Sequence, residues 1–241
     1  MKLAHKKIVI TGGASGIGLG LTERFVQDHN TVIICGRREE KLDEVAARFP
    51  SKIIPKVCDV SNERDVAELY HWIRQEHSDV NVLVNNAGIQ NWMHLTQDDF
   101  YQRAKKEVDT NVMAPIHLTT KFMGLESLET IMMVTSGLAF VPAAKMPIYC
   151  ATKAFMRSFT LSLRYLVEAE GINVIEIIPP ALNTDLGGKG KHDQYPQVSE
   201  FIEAIFTQMH DGKKELTFGF SKDRTEQNNA AIMEYFKLLN P

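Results

Sequence analysis

The sequence reads as an α/β protein: a doubly wound, Rossmann-like parallel β-sheet flanked by helices, three layers deep. Short β-branched runs alternate with longer stretches of helical periodicity, the pattern of a parallel sheet with crossover helices. A glycine-rich turn follows the first run directly and opens a helix. No repeat, linker or low-complexity block interrupts the chain, so residues 1–241 are expected to form one domain.

The strand-like runs are Lys7 to Thr11, Thr31 to Cys35, Lys52 to Val57, Val80 to Val84, Thr130 to Thr135 and Asn173 to Ile178. After the first, Ile17, Leu21 and Phe25 recur at i, i+4 and i+8, and after the third, Val66, Leu69, Tyr70 and Ile73 recur at i, i+3, i+4 and i+7, so both segments present one apolar helix face. Leu95 to Met123 predicts a longer helix, bent near Pro115, which removes an amide donor. Pro147 to Glu168 predicts the next, with proline in its first turn and Gly171 in its cap region. Regularity fades after Pro180, where Gly187-Gly188-Lys189-Gly190-Lys191 has the composition of a mobile segment, and a substrate loop is expected at about 185–200. A final strand, Glu215 to Phe220, and a helix from about Thr225 complete the reading.

Composition narrows the function. With 27 basic and 30 acidic residues the net charge is −3, which supplies no field for holding a nucleic acid, so no such partner is expected. The 44% of apolar residues can bury a sizeable core, yet no apolar run is long enough to span a membrane or serve as a leader, and no membrane insertion is expected. Three scattered cysteines with no CxxC pair fit a reduced compartment. A cytoplasmic protein without a metal site is the expectation.

One stretch carries chemistry. In Tyr149-Cys150-Ala151-Thr152-Lys153 a phenol and an ammonium stand four residues apart, on one face if the segment is helical. A tyrosine that exchanges protons near neutrality needs a cation close by to stabilise its phenolate, and Lys153 is the candidate. An isolated YxxxK would more simply be a helix face. Thr11-Gly12-Gly13-Ala14-Ser15-Gly16-Ile17-Gly18, between strand and helix, is where helix-terminal amides meet a pyrophosphate, although Leu21 breaks the strict GxGxxG spacing. An ordinary strand-turn-helix is the competing reading.

The TGxxxGxG spacing resembles the short-chain dehydrogenase/reductase family, and the likeness extends through Lys153. Asn85-Asn86-Ala87-Gly88 follows the fourth strand as that family's NNAG does, Ser136 stands thirteen residues before Tyr149 at the end of the fifth strand, and Asn111 matches the helical asparagine. The segments NNAGIQ, TSGLAFVP and YCATKAFMRSF, with Pro179-Pro180 in place of the family's Pro-Gly, are similar to the DltE-type oxidoreductases within it.

The resemblance implies Ser136, Tyr149, Lys153 and Asn111 as the catalytic set: Tyr149 exchanging the proton, Ser136 bonding the carbonyl oxygen, Lys153 holding the nicotinamide ribose, and Asn111 anchoring a proton-relaying water. It also implies a cofactor site built from Gly12, Ser15, Gly16, Ile17, Gly18, Asp59, Val60, Asn86, Ala87, Gly88, Pro179 and Thr184, with Tyr149 and Lys153. Dimers or tetramers through the helices around Asp98 to Phe122 and Pro147 to Glu168 are implied as well.

After the second strand an NAD enzyme of this fold presents a carboxylate to the adenine ribose. Here Cys35-Gly36-Arg37-Arg38 offers two guanidiniums suited to a 2′-phosphate, so NADP(H) is favoured and NAD(H) is the alternative. Arg37 and Arg38 also read as the start of a solvated helix with Glu39, Glu40 and Lys41. Gln90, Trp92, Met93, Phe140, Val141 and Met146 fall at strand C-termini and suggest an apolar substrate pocket, or loops packed on the core; Lys189, Lys191 and His192 read first as a solvated loop, with contact to an anionic substrate as the alternative. The expected activity is NADP(H)-dependent hydride transfer to or from a carbonyl or secondary alcohol; a dinucleotide-binding redox-sensing regulator is the rival.

Overall fold

A computed structural model describes residues 3–227 and 229–240. Seven strands form one parallel sheet: β1 (Lys7–Thr11), β2 (Thr31–Gly36), β3 (Ile53–Val57), β4 (Val82–Asn85), β5 (Thr130–Val134), β6 (Asn173–Ile178) and β7 (Glu215–Thr217), in the order β3-β2-β1-β4-β5-β6-β7. The central strands are buried on both faces, which is why they read as continuous apolar runs rather than alternating ones.

Period-2 alternation sorts each strand between two cores. Ile8 and Ile10 of β1, with Val32 and Ile34 of β2, meet α1 (Gly16–Gln27), α2 (Glu39–Arg48) and α7 (Val198–His210) through Leu21, Phe25, Leu42, Val45 and Phe201. Val9, Ile33 and Cys35 point the other way, onto α3 (Glu63–Glu76), α5 (Ala114–Phe122) and α6 (Pro147–Leu166) through Leu69, Ile73, Leu118, Phe122 and Met156. The three expected layers are present. Strand order reverses between β1 and β4, and a crevice opens at their C-terminal ends, where ligands bind in such sheets.

Several elements differ from the sequence reading. The long helix begins at Phe100 as α4 (Phe100–Val108), passes through a π turn at Asp109–Met113 and continues as α5. Pro115 has no N–H to return to the Asn111 carbonyl four residues back, so the wider turn falls just before the proline. α7 has no counterpart in that reading, although Phe201, Ile202, Ile205, Phe206 and Met209 carry a helical spacing and are all buried. It takes up the end of the stretch expected to be mobile. β7 stops at Thr217 because Gly219 turns to φ +50°, and Phe220 opens α8 (Phe220–Thr225); α9 (Asn229–Leu239) follows. Gly171 adopts the left-handed cap conformation, φ +72°, after a 3₁₀ turn that ends the α6 region.

Candidate active site

The crevice is built from the glycine turn upward. Gly12 leaves β1 at φ +68° and donates its amide to the Cys35 carbonyl at 2.7 Å. A Cβ on Gly18 would lie 2.2 Å from the Gly12 carbonyl oxygen, so the turn packs against its own helix only because side chains are missing. Ser15 is extended and precedes α1, whose first turn holds Gly16, Ile17 and Gly18 and no acidic residue. The amides of that turn have no intrahelical partner, and the helix end is positive.

The Thr11 hydroxyl donates to the Val84 carbonyl at 3.3 Å and accepts the amides of Asn86 and Ala87 at 3.0 and 2.9 Å. The Asn86 side-chain amide donates back to the Thr11 carbonyl at 2.8 Å. Asn86 therefore braces the turn where the strand order reverses, and Thr11 is a supporting residue to which the sequence reading gave no role.

A cleft of about 200 Å³ extends from this turn; among the residues lining it are the expected cofactor residues Gly12, Ser15, Arg37, Arg38, Asp59, Val60, Ala87 and Gly88, beside Lys41, Leu42 and Thr110, which were not expected. Arg38 precedes α2 as its N-cap and donates to the Ser15 hydroxyl at 3.4 Å, so it both starts an exposed helix and faces the cleft. Burial pushes the Asp59 carboxyl up, but hydrogen bonds from Ser61 (amide 3.0 Å, hydroxyl 2.7 Å) and the charge of Arg37 outweigh it and hold the group below its ordinary value. Across the crevice, Thr184 stands where a Cβ on Gly16 would touch it, at 3.5 Å, and the Pro179 carbonyl accepts the Gly137 amide at 3.0 Å.

Ser136 follows β5 in extended conformation, and its hydroxyl accepts the Leu138 amide at 3.1 Å, capping a 3₁₀ turn. The same hydroxyl is the neighbour that holds down the pKa of Tyr149, the third residue of α6. Tyr149 and Lys153 are 6% and 5% exposed, a phenol and an ammonium both withdrawn from solvent. The Lys153 Nζ donates to the Val134 carbonyl at 2.8 Å and lies 5.6 Å from the centre of the Tyr149 ring. Burial lowers Lys153 to about 8. Burial also drives the Tyr149 phenol well above its ordinary value, which the neighbouring Ser136 hydroxyl offsets in part. Burial is thus the dominant influence on the phenol in the protein.

Asn111 sits in the π turn. Its side chain accepts the Ile89 amide and donates to the Ile89 carbonyl, each at 2.8 Å, and donates to the Thr152 hydroxyl at 3.2 Å. Behind it lies a cavity of about 10 Å³, the size of one water, lined by Asn85, Asn111, Pro115, Val134 and Lys153.

The expected pocket residues separate. Phe140 is a platform for the Arg157 guanidinium, 4.5 Å from its ring centre, and so belongs to packing. Met146 clusters with Tyr149, Leu138 and Leu186 beside the crevice. Lys191 lies over the Trp92 ring at 4.9 Å, while His192 is buried against Tyr195. Glu107, fully buried on α4, was missed by the sequence reading. Among the described residues no helix is long and apolar enough to cross a membrane.

Such a crevice, with a serine, a tyrosine and a lysine gathered beside a glycine turn, defines an oxidoreductase class, and residues 6–194 match the short chain dehydrogenase family. The chain belongs to that family. It is 39% identical to the uncharacterized oxidoreductase DltE of Bacillus subtilis over 90% of this chain and 89% of that one. It is 30% identical to the NADP-dependent 3-hydroxy acid dehydrogenase YdfG of Escherichia coli O6:H1, over 71% of each chain. A short chain dehydrogenase from Burkholderia cenocepacia, in complex with NADP, superposes with a TM-score of 0.85 at 22% identity, covering 98% of this chain and 99% of that one.

Proposed function

We propose that this oxidoreductase uses NADP(H) to interconvert a carbonyl and a secondary alcohol, with Tyr149 as proton donor in reduction and acceptor in oxidation. The observation that carries the reading is the buried pairing of Tyr149 with Ser136 and Lys153 beside a turn whose Gly18 admits no Cβ. The cofactor fits the residues present: the first turn of α1 offers amides to a pyrophosphate, and Arg37 and Arg38 suit a 2′-phosphate. The NADP dependence in the name of the YdfG relative agrees. When bound, the nicotinamide supplies or takes up the hydride.

The chain's own residues supply position and the proton. Ser136 orients the substrate oxygen toward the Tyr149 hydroxyl. Burial keeps that hydroxyl protonated at neutral pH, the form needed to donate to a carbonyl being reduced. Lys153 stands behind the ring, and the small cavity it shares with Asn111 gives the proton a route away from the crevice, past a carbonyl that Pro115 leaves without its helical donor. Leu138, Met146 and Leu186 give the substrate side an apolar wall that keeps water out. Tyr101 on α4 and Tyr165 on α6 are 75% and 80% exposed, and support association of copies through these helices. No feature or relative supports the redox-sensing regulator.

The test is NADPH oxidation with a panel of aldehydes and ketones, repeated with Tyr149→Phe. The expected result is turnover that the substitution abolishes while NADPH affinity stays within about twofold. Silence across the panel, or undiminished turnover in the variant, refutes the reading.

A further inference from the structure

Two α4 side chains one turn apart grip a single segment of the loop after β4. The Glu107 carboxylate accepts the Asn91 amide at 2.5 Å. Arg103 donates to the Asn91 side-chain oxygen at 3.4 Å and to the Trp92 carbonyl at 3.0 Å. Next to Trp92, Met93 donates its amide to the Lys145 carbonyl at 3.1 Å, which ties the segment to the stretch leading into α6.

The gripped segment in turn supports the chain at 185–195. A Cβ on Gly187 would stand 2.7 Å from the Gln90 side-chain oxygen, and the Lys191 ammonium lies 4.9 Å from the centre of the Trp92 ring. Contacts therefore run from α4 through Gln90–Trp92 to the segment that borders the crevice. Glu107 is an expensive way to build this: it is fully buried, its second carboxylate oxygen has no partner, and a Leu or Met would fill the space without a charge. The proton path through Ser136, Tyr149 and Lys153 does not need it.

We infer that Arg103 and Glu107 are positioning residues that fix Gln90–Trp92 as the seat on which the 185–195 segment rests, and so set how firmly that segment holds a substrate in the crevice. The consequence for substrate rests on the oxidoreductase reading; the seat itself does not.

Ionised Glu107 makes a charge-assisted bond to Asn91, and the protonated form a weaker one. The groups facing Glu107 are Arg103 on its own helix and Tyr149 and Cys150 on α6; Lys191, His192 and His94 lie near the seat. Burial raises Glu107 to about 7, so the seat loosens as pH falls through neutrality.

The test needs no substrate. The chain has two tryptophans, Trp72 and Trp92, and Trp72 lies on α3 against His77, so Trp72→Phe leaves Trp92 as the sole reporter. Acrylamide quenching is measured at pH ~6 and ~8, either side of the Glu107 value of about 7. In the Trp72→Phe parent, quenching should be about twofold stronger at the lower pH, as expected where a loop contact weakens. Adding Glu107→Gln should give the stronger quenching at both pH values, and Arg103→Met should raise it at both. Parent-like quenching in both variants overturns the inference. A pH step that survives in Glu107→Gln overturns the role of Glu107. If Glu107→Gln fails to fold, Arg103→Met decides alone, since its side chain is at the rim and 30% exposed. With a carbonyl that the parent turns over, both variants should raise KM about fivefold, the loss of one hydrogen bond, with kcat within about twofold. A fall in kcat at constant KM also overturns the inference. Absence of turnover in the parent would count against the oxidoreductase reading and leave the quenching result standing.

Discussion

Replacing Glu107 by Gln should stabilise the fold, and the gain should appear only as pH rises. An ordinary carboxyl of this type titrates at 4.5, and burial moves Glu107 to about 7, so the folded chain holds its proton more tightly than the unfolded one. Below 4.5 both states are protonated and the shift has no effect on stability. Between the two values the unfolded chain releases the proton that the folded chain keeps, and stability falls as pH rises. Above about 7 both are ionised and the cost is constant. The gap corresponds to about 3 kcal/mol, at about 1.4 kcal/mol per pH unit. Gln keeps the shape and the acceptor for the Asn91 amide but carries no charge, so the variant should gain up to about 3 kcal/mol at pH ~8 and close to nothing at pH ~4.5. Urea unfolding followed by circular dichroism at the two pH values measures this. A variant less stable than the parent at pH ~8, or a difference independent of pH, refutes the assignment of a buried, upward-shifted carboxyl.

Three further predictions follow from other parts of the site. Arg37→Ala should weaken NADPH binding by about tenfold or more and NADH binding little, as read by calorimetric titration; equal losses would rule out a 2′-phosphate contact. Gly18→Ala would press a methyl to 2.2 Å from the Gly12 carbonyl, so it should abolish dinucleotide binding while the circular dichroism of the sheet persists, and unimpaired binding would contradict the cradle. Arg157→Met would strand the fully buried Glu176 carboxylate, which Arg157 pairs directly, and should lower stability by about 3–5 kcal/mol at pH ~8 in the same urea assay; a neutral result would show that the Thr135 hydrogen bond suffices.

Much of the fold and of the candidate site is legible in the sequence. The strands declared themselves because burial on both faces leaves no room for polar alternation, as in Ile131-Met132-Met133. Gly12, Ser136, Tyr149 and Lys153 stood out because their residue types and order are constrained together by the turn, the strand end and one helix face. Glu107 was not legible, since a carboxylate in Lys105-Lys106-Glu107 looks like a solvated face and only the packing of α4 on α6 and the Asn91 loop removes it from water. Nor does the sequence show how deeply Tyr149 is buried, and that burial pushes its phenol up. α7 was a different kind of miss, for its apolar spacing was present but sat just after a glycine- and lysine-rich stretch that drew the whole region into a loop.

The π turn at Asp109–Met113 makes helix counting a functional variable. One extra residue in the winding turns everything on its N-terminal side by about 100° relative to what lies beyond. Arg103 and Glu107 therefore share a single angular offset relative to α5, and removing one residue from the turn would restore a regular helix while rotating the grip on Asn91 out of reach. Homologous chains that differ by a single-residue gap at this point would then differ in their loops, even where every residue of the catalytic set is retained.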